Sequence, residues 1–243
     1  MNKQHLFNFL GTLYLSMAIL MTSCKTDDDV IVSNEITEED AVEVVENAVA
    51  QESGGLTEQI ETTIVIADFA DPEQNPMCGL SFDSTLLQTN QSGSVILYNY
   101  EYQWTWNVQC DILQTPEQFD FYYEMDGWCN APRLESLDYG FNDFSISGLN
   151  SASEVYVYSG LYQRYGNIGF KTGFQTTIDS ELTIEISEII ISKTTGEILE
   201  GSGSVSFIGK SSNGQSVTFE GTITFEGGDT ATLKFENEFI ISL

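Results

Sequence analysis

The chain has 243 residues, 37 of them acidic against 8 basic, for a formal charge of −29. A surface that acidic repels phosphate backbones and anionic headgroups, which argues against nucleic acid as a partner. Apolar residues at 41% and aromatics at 12% suffice for a real core, and the length suits one sizeable all-β domain or two small ones.

In residues 1–23, Lys3 precedes an apolar run from Leu6 to Met21 that carries no charge. That run is short for a membrane span and fits a secretory signal. Leu20-Met21-Thr22-Ser23-Cys24 resembles a bacterial lipobox, in which the cysteine is acylated and becomes the mature N-terminus. Lys25-Thr26-Asp27-Asp28-Asp29 resembles the surface-export signal of Bacteroidota lipoproteins. The plainer reading of this acidic run is a solvated tether, residues 24–36. Several acyl chains on Cys24 hold a protein on a membrane essentially permanently, since each buried CH₂ contributes about 0.8 kcal/mol. The expected location is therefore the outer membrane, lipid-anchored and facing the exterior. Cleavage removes Lys3 and no acid, so the mature chain is more acidic still.

Residues 37–70 read as a helical segment. Thr37 is the N-cap, Glu38, Glu39 and Asp40 sit in the first turn, and Ile36 is placed to staple onto Ala41. Ala41, Val44, Val45, Ala48 and Val49 form an apolar stripe that ends at Gly54-Gly55, predicting a helix docked on a sheet or plugging one end of it. From Leu56 to Ala70 the signals conflict: Leu56, Ile60, Ile64 and Ala67 have helical spacing, while Thr62 to Ile66 is β-branched. A second helix is the preferred reading. The turn-rich segment from Asp71 to Pro76 then leads to Cys78.

Residues 71–243 read as an antiparallel β-meander. Its spine is Ser94 to Cys110, where Tyr98, Tyr100, Tyr102, Trp104 and Trp106 share one side and Asn99, Glu101, Gln103 and Thr105 the other. A strand of that length bends or coils around something. Phe119 to Met125, Phe141 to Leu149 and Val155 to Tyr165 read as further strands, the last with bulk on both sides, as though covered on both faces. Leu182, Ile184, Ile186 and Ile190 then alternate with polar residues, Asn213-Gly214 signals a hairpin, and Val217 to Ile241 completes the pattern. The fold class is all-β: a sequential meander curled into a barrel or half-barrel, with a sandwich as the alternative and one or two N-terminal helices.

After cleavage three cysteines remain, Cys78, Cys110 and Cys129. A hairpin centred near Gln114 sets Cys129 opposite Tyr100, roughly 30 Å along the ladder from Cys110, far beyond the reach of a disulfide. Cys78 is then a partner in any bridge. Its mate is Cys110 or Cys129, with Cys110 preferred.

From about Cys78 onward, Tyr102-Gln103-Trp104-Thr105-Trp106, Ala131-Pro132-Arg133, Ser147-Gly148-Leu149, Tyr162-Gln163-Arg164 and Gly221-Thr222-Ile223-Thr224-Phe225 resemble the wording of uncharacterised outer-surface lipoproteins of Flavobacteria-type Bacteroidota. The resemblance implies an outer-surface location and a disulfide, and no activity.

The only histidine, His5, leaves with the signal, so a Ser-His-acid or Cys-His arrangement and a histidine-bound metal are excluded from the mature chain. No phosphate-cradling glycine loop is present, and neither Asp27–Asp29 nor the surroundings of Asp229 follow a calcium-loop spacing. No cofactor and no metal are expected. Glu101 with Glu124 or Asp126 has the makings of a glycosidase acid–base pair, although projection into water from a polar face is the plainer reading. The aromatic row Tyr98, Tyr100, Tyr102, Trp104 and Trp106 either lines a groove for a sugar or a lipid chain or is core. The expectation is a non-catalytic surface lipoprotein that binds a hydrophobic or glycan ligand or a partner protein. A structural envelope component and a carboxylate-dependent glycosidase are the alternatives.

Overall fold

Thr37 starts the first helix as its sequence predicts. Its hydroxyl accepts the Asp40 N–H (3.2 Å) while the Asp40 carboxylate accepts the Thr37 N–H (3.0 Å), a reciprocal cap. Helix α1 (Glu38–Val49) is followed by a 3₁₀ turn (Gln51–Ser53), left-handed Gly54, and helix α2 (Leu56–Phe69). The stripe Leu56, Ile60, Ile64 and Ala67 is buried. Helical periodicity has therefore won over the β-branched run, because that stripe has a sheet to pack against. The computed structural model describes residues 35–69, 77–90, 93–172 and 177–243. The signal segment, Cys24, the tether up to residue 34 and the 71–76 loop lie outside the described residues.

Ten strands follow in one antiparallel sheet, each paired with the next in sequence: β1 (Ser81–Thr89), β2 (Leu97–Cys110), β3 (Pro116–Asn130), β4 (Leu134–Ser147), β5 (Val155–Phe170), β6 (Thr177–Ser192), β7 (Ile198–Ser211), β8 (Ser216–Phe225), β9 (Thr230–Lys234) and β10 (Glu238–Ser242). The sheet is not closed, for β1 and β10 do not pair with each other. Both ends of it nevertheless meet the same two helices. Gln88 on β1 donates to Thr62 (3.2 Å) and accepts from Gln59 (2.9 Å), both on α2. At the other end the Ser242 N–H donates to Glu46 (2.9 Å) and the Asn237 N–H to Glu38 (2.9 Å), both on α1. The sheet curls around a helical hairpin, and Ser33–Leu243 is one compact unit, so the helical and β segments read separately from the sequence share one core.

Bulges set the curvature. One lies on β6, where Tyr158 pairs with Ile189 but Gly160 pairs with Ile186. The extra residue flips the strand's faces: Ile186, Ile189 and Ile191 point inward and Ile190 is half-buried, correcting the simple alternation that put Ile190 in the core. Opposite it, Gly160 has φ +143°, and a side chain there would land on the Asp143 carbonyl. The expected double cover of β5 is also corrected. Tyr156, Tyr158 and Tyr162 are buried, whereas Val155, Val157 and Leu161 are half-buried on the outward side, where no second layer lies among the described residues.

Among the described residues the core contains one ion pair. Arg164 on β5 lies 2.7 Å from Asp138 on β4, both 5% exposed. The same Asp138 oxygen accepts from Tyr100 (2.7 Å) and Ser136 (2.6 Å), and Arg164 also donates to the Asn47 carbonyl at the end of α1 (3.4 Å). Burial alone disfavours the guanidinium charge, but Asp138, Tyr100 and Tyr162 outweigh it and hold the group firmly protonated. Removing one member strands the other charge in the core, which typically costs roughly 3–5 kcal/mol, whereas replacing both by apolar residues is often near neutral. Arg164→Met is therefore expected to lose roughly that much stability in urea unfolding, and Arg164→Met with Asp138→Leu to recover most of it.

Candidate functional site

The aromatic row of β2 is core. Tyr98, Tyr100, Tyr102 and Trp104 are buried, at most 8% exposed, and Trp106 is half-buried between Phe82 (ring centroids 5.4 Å apart) and Phe121 (6.2 Å). They cannot line an open groove, because the helices occupy that space. The Tyr102 hydroxyl donates to the Gly54 carbonyl (2.9 Å), the Tyr98 ring lies against Gly54, and Trp104 packs on Tyr123 at 4.7 Å. Beside Arg164 and Asp138 there remains a void of about 10 Å³, room for about one water.

Strand β4 presents a different surface along its middle, where polar side chains face inward between buried Leu134 and buried Phe144 and Ile146. Ser136, Asp138 and Asn142 point inward and are buried, while Leu137, Tyr139 and Phe141 point outward, 66%, 50% and 39% exposed. The buried carboxylate of Asp138 needs Arg164, Ser136 and Tyr100 around it, and that requirement fixes which way the strand faces. Period-two alternation then forces the aromatics out. Trp128 on β3, 40% exposed, stands opposite Leu137.

Register assembles these side chains into a platform. One row across the sheet is Glu101, Asp126, Tyr139 and Tyr165, and the next is Gln103, Glu124, Phe141 and Gln163. Adjacent strands lie about 4.8 Å apart, so each row spans roughly 14 Å. Tyr139 and Tyr165 stack nearly parallel with centroids 5.0 Å apart and an interplanar angle of 13°. Phe141 meets both edge-on, at 6.2 and 6.3 Å. Glu101, Gln103, Glu124, Asp126, Tyr139 and Phe141 border an open depression of about 430 Å³, within the range of small-ligand sites.

The structure thus brings together Glu101, Glu124 and Asp126, named from the sequence, with Tyr139, Phe141, Tyr165 and Trp128, which sequence reasoning missed. The signal was available in β4, where Leu137, Tyr139 and Phe141 alternate with Ser136, Asp138, Gly140 and Asn142. Reading it required knowing that the polar set faces inward. Cys78 and Cys110 form a disulfide with Cα atoms 5.5 Å apart, at the opposite end of β2 from Cys129, which is a buried free thiol. Cys129 faces Tyr98 rather than the expected Tyr100, because the β2–β3 loop turns at Asp111–Thr115 and a register shift at Gln109/Cys110 precedes it. Among the described residues no cluster of three or more acidic, cysteine or histidine side chains is arranged to hold a metal.

Comparison with family models finds no match for this chain, and comparisons with curated proteins and with solved structures find none either.

Two predictions come from the buried face. Burial pushes the hydroxyls of Tyr100, Tyr102, Tyr123 and Tyr158 well above the usual value near 10. The folded state then holds more protons than the unfolded chain above that pH, so this stabilisation is complete below pH 10 and is lost as pH rises beyond it. Absorbance at 295 nm should show these tyrosines ionising together with unfolding, after the exposed ones. Burial likewise raises the Cys129 thiol, so a thiol reagent should label it only after denaturation. The Cys78–Cys110 bridge spans a sequence separation of 32, and replacing both with alanine should cost roughly 3–4 kcal/mol in urea unfolding.

Proposed function

We propose that this chain is a non-catalytic, lipid-anchored protein displayed on the outside of a bacterial outer membrane, where the outward platform of β3–β5 binds glycans. The observation that carries the reading is the outward-facing stack of exposed Tyr139 on half-buried Tyr165 with Phe141 beside it. Sugar rings present flat C–H faces that pack on aromatic faces, and exposed aromatics already fixed by their neighbours lose little freedom on binding. Trp128 and Leu137 extend the apolar strip, and the bordering carboxylates and amides supply hydroxyl partners.

The lipobox at Leu20–Cys24 and the acids after it support the anchored, outward location. Residues 25–35 can span up to about 40 Å, enough to lift the platform off a bilayer. A lipid-binding interior finds no support, since the concave face is filled by α1 and α2. Glu101, Glu124 and Asp126 are exposed on an open face of the sheet, not set across an enclosed cleft of the kind that holds a glycosidase's substrate. The filled core favours one second reading, a structural envelope component with no small ligand.

Glycan-array screening followed by calorimetry separates the two. On the first reading Tyr139→Ala or Phe141→Ala weakens binding at least tenfold, about 1.4 kcal/mol, with no loss of thermal stability, and Trp128 fluorescence responds to ligand. Absence of binding to every glycan tested would leave the structural reading. Cys24→Ala should release the protein from the membrane fraction; continued retention would sink the anchor.

A further inference from the structure

The platform carries negative charge with no lysine or arginine on the outward faces of its own strands to balance it. Glu101 and Asp126 are directly opposite on adjacent strands, and Glu124 lies two residues along from Asp126 on the same face. Like charges in directly opposed positions destabilise a sheet. Across β2, β3, β4 and β5 the sole lysine or arginine is Arg164, and it points inward to Asp138. The outward faces of these four strands therefore hold Glu101, Asp120, Glu124, Asp126, Glu135 and Asp143 with no cation among them. The three acids border the same depression as Tyr139 and Phe141. Carboxylates beside exposed aromatic faces are the complement of an ammonium group, which the acids attract by charge and the rings by their quadrupole.

We infer that the platform selects glycans bearing free amino groups, with the ammonium of a 2-amino sugar seated among Glu101, Asp126 and Glu124 while its ring packs on Tyr139 and Phe141. This rests on the glycan-binding reading and narrows it. Neutral sugars gain only the stacking, and anionic ones are repelled. The preference weakens with salt, because the acids are exposed and their field is screened within about 10 Å at 0.1 M ionic strength.

The test uses three β-1,4-linked disaccharides that differ at C2: the glucosamine dimer, its N-acetylated form and cellobiose. Calorimetry or ligand-observed NMR at low salt and mildly acidic pH, with the purified chain, should give the amino form at least tenfold tighter affinity than either neutral form. That advantage should shrink toward unity at 0.5 M salt. Glu101→Gln with Asp126→Asn should abolish the preference, leaving that variant with about equal affinity for all three disaccharides. Tyr139→Ala, which keeps every charge, should weaken all three ligands. Glu185→Gln with Glu220→Gln, matched in charge but away from the depression, should change nothing. Equal or tighter binding of the neutral forms would overturn the amine selectivity and leave the glycan reading standing. Amine binding that survives Tyr139→Ala, or falls equally in the distant double variant, would show general attraction to an acidic protein and overturn it too. Failure of all three disaccharides and of every arrayed glycan would remove the glycan reading and this inference with it.

Discussion

The C-terminal end of helix α1 is where the fold is held together. A helix leaves its last carbonyls without intrahelical donors, and here the residues that carry them, Asn47 to Ala50, are buried against the sheet. Side chains from the sheet serve them: Arg164 donates to the Asn47 carbonyl (3.4 Å) and the Tyr162 hydroxyl to that of Ala48 (3.0 Å). Ser53, just beyond the helix, donates to the carbonyls of Asn47 (2.5 Å) and Ala50 (2.9 Å). A cation at this end also opposes the negative pole of the helix dipole. Once a guanidinium is committed to the interior it needs a counter-charge, and Asp138 supplies it from the neighbouring strand.

That commitment propagates to the opposite surface. Asp138 must face inward, so the middle of β4, Ser136 to Asn142, turns polar residues toward the core and Leu137, Tyr139 and Phe141 outward, while Leu134, Phe144 and Ile146 on the same inward face are buried apolar residues. Side chains on a strand have no third direction. The exposed platform is therefore a geometric consequence of how the helix end is satisfied, and it sits on three of the longest strands in the sheet, whose inner sides are fully packed. A surface backed this way moves little, which suits recognition by pre-set stacking.

Much of this fold was legible from local pattern. The N-cap at Thr37, the stripe of α1, the length of the aromatic strand and the hairpin at Asn213-Gly214 each follow from a few adjacent residues, and the sequential order of strands follows from short polar turns. The inward polar stretch of β4 was not legible, because it depends on a pairing between Asp138 and Arg164, 26 residues apart, whose outcome is a choice of face rather than a pattern. Ile190 failed for a related reason: a single extra residue near Glu188 shifts parity, and no residue type there announces it. The aromatic row of β2 was recognised as one face of a strand, but whether such a face is groove or core depends on what fills the concavity, and the helices that fill it were legible only as helices. The acids at the platform could be listed from the sequence, whereas their alignment with Tyr139 and Phe141 needed the register of three strand pairs.

An open ten-stranded sheet has two edges whose unpaired backbone groups invite association with other strands. The helical hairpin that fills the concavity reaches both edge strands, through backbone N–H groups at the β10 side and through the Gln88 side chain alone on β1. Glu38 and Glu46 accept N–H groups of Asn237 and Ser242 at the β10 side, and Gln59 and Thr62 engage Gln88 on β1. A chain of net charge −29 adds general repulsion between copies. With its inner face packed by the helices, the sheet leaves its outward side exposed, and on β2–β5 the side chains there are aromatic and anionic. On the proposed reading a ligand that gains from both features brings a flat apolar face and positive charge on the same small unit, and the surface that would meet it takes its orientation from the way the carbonyls at the end of α1 are satisfied.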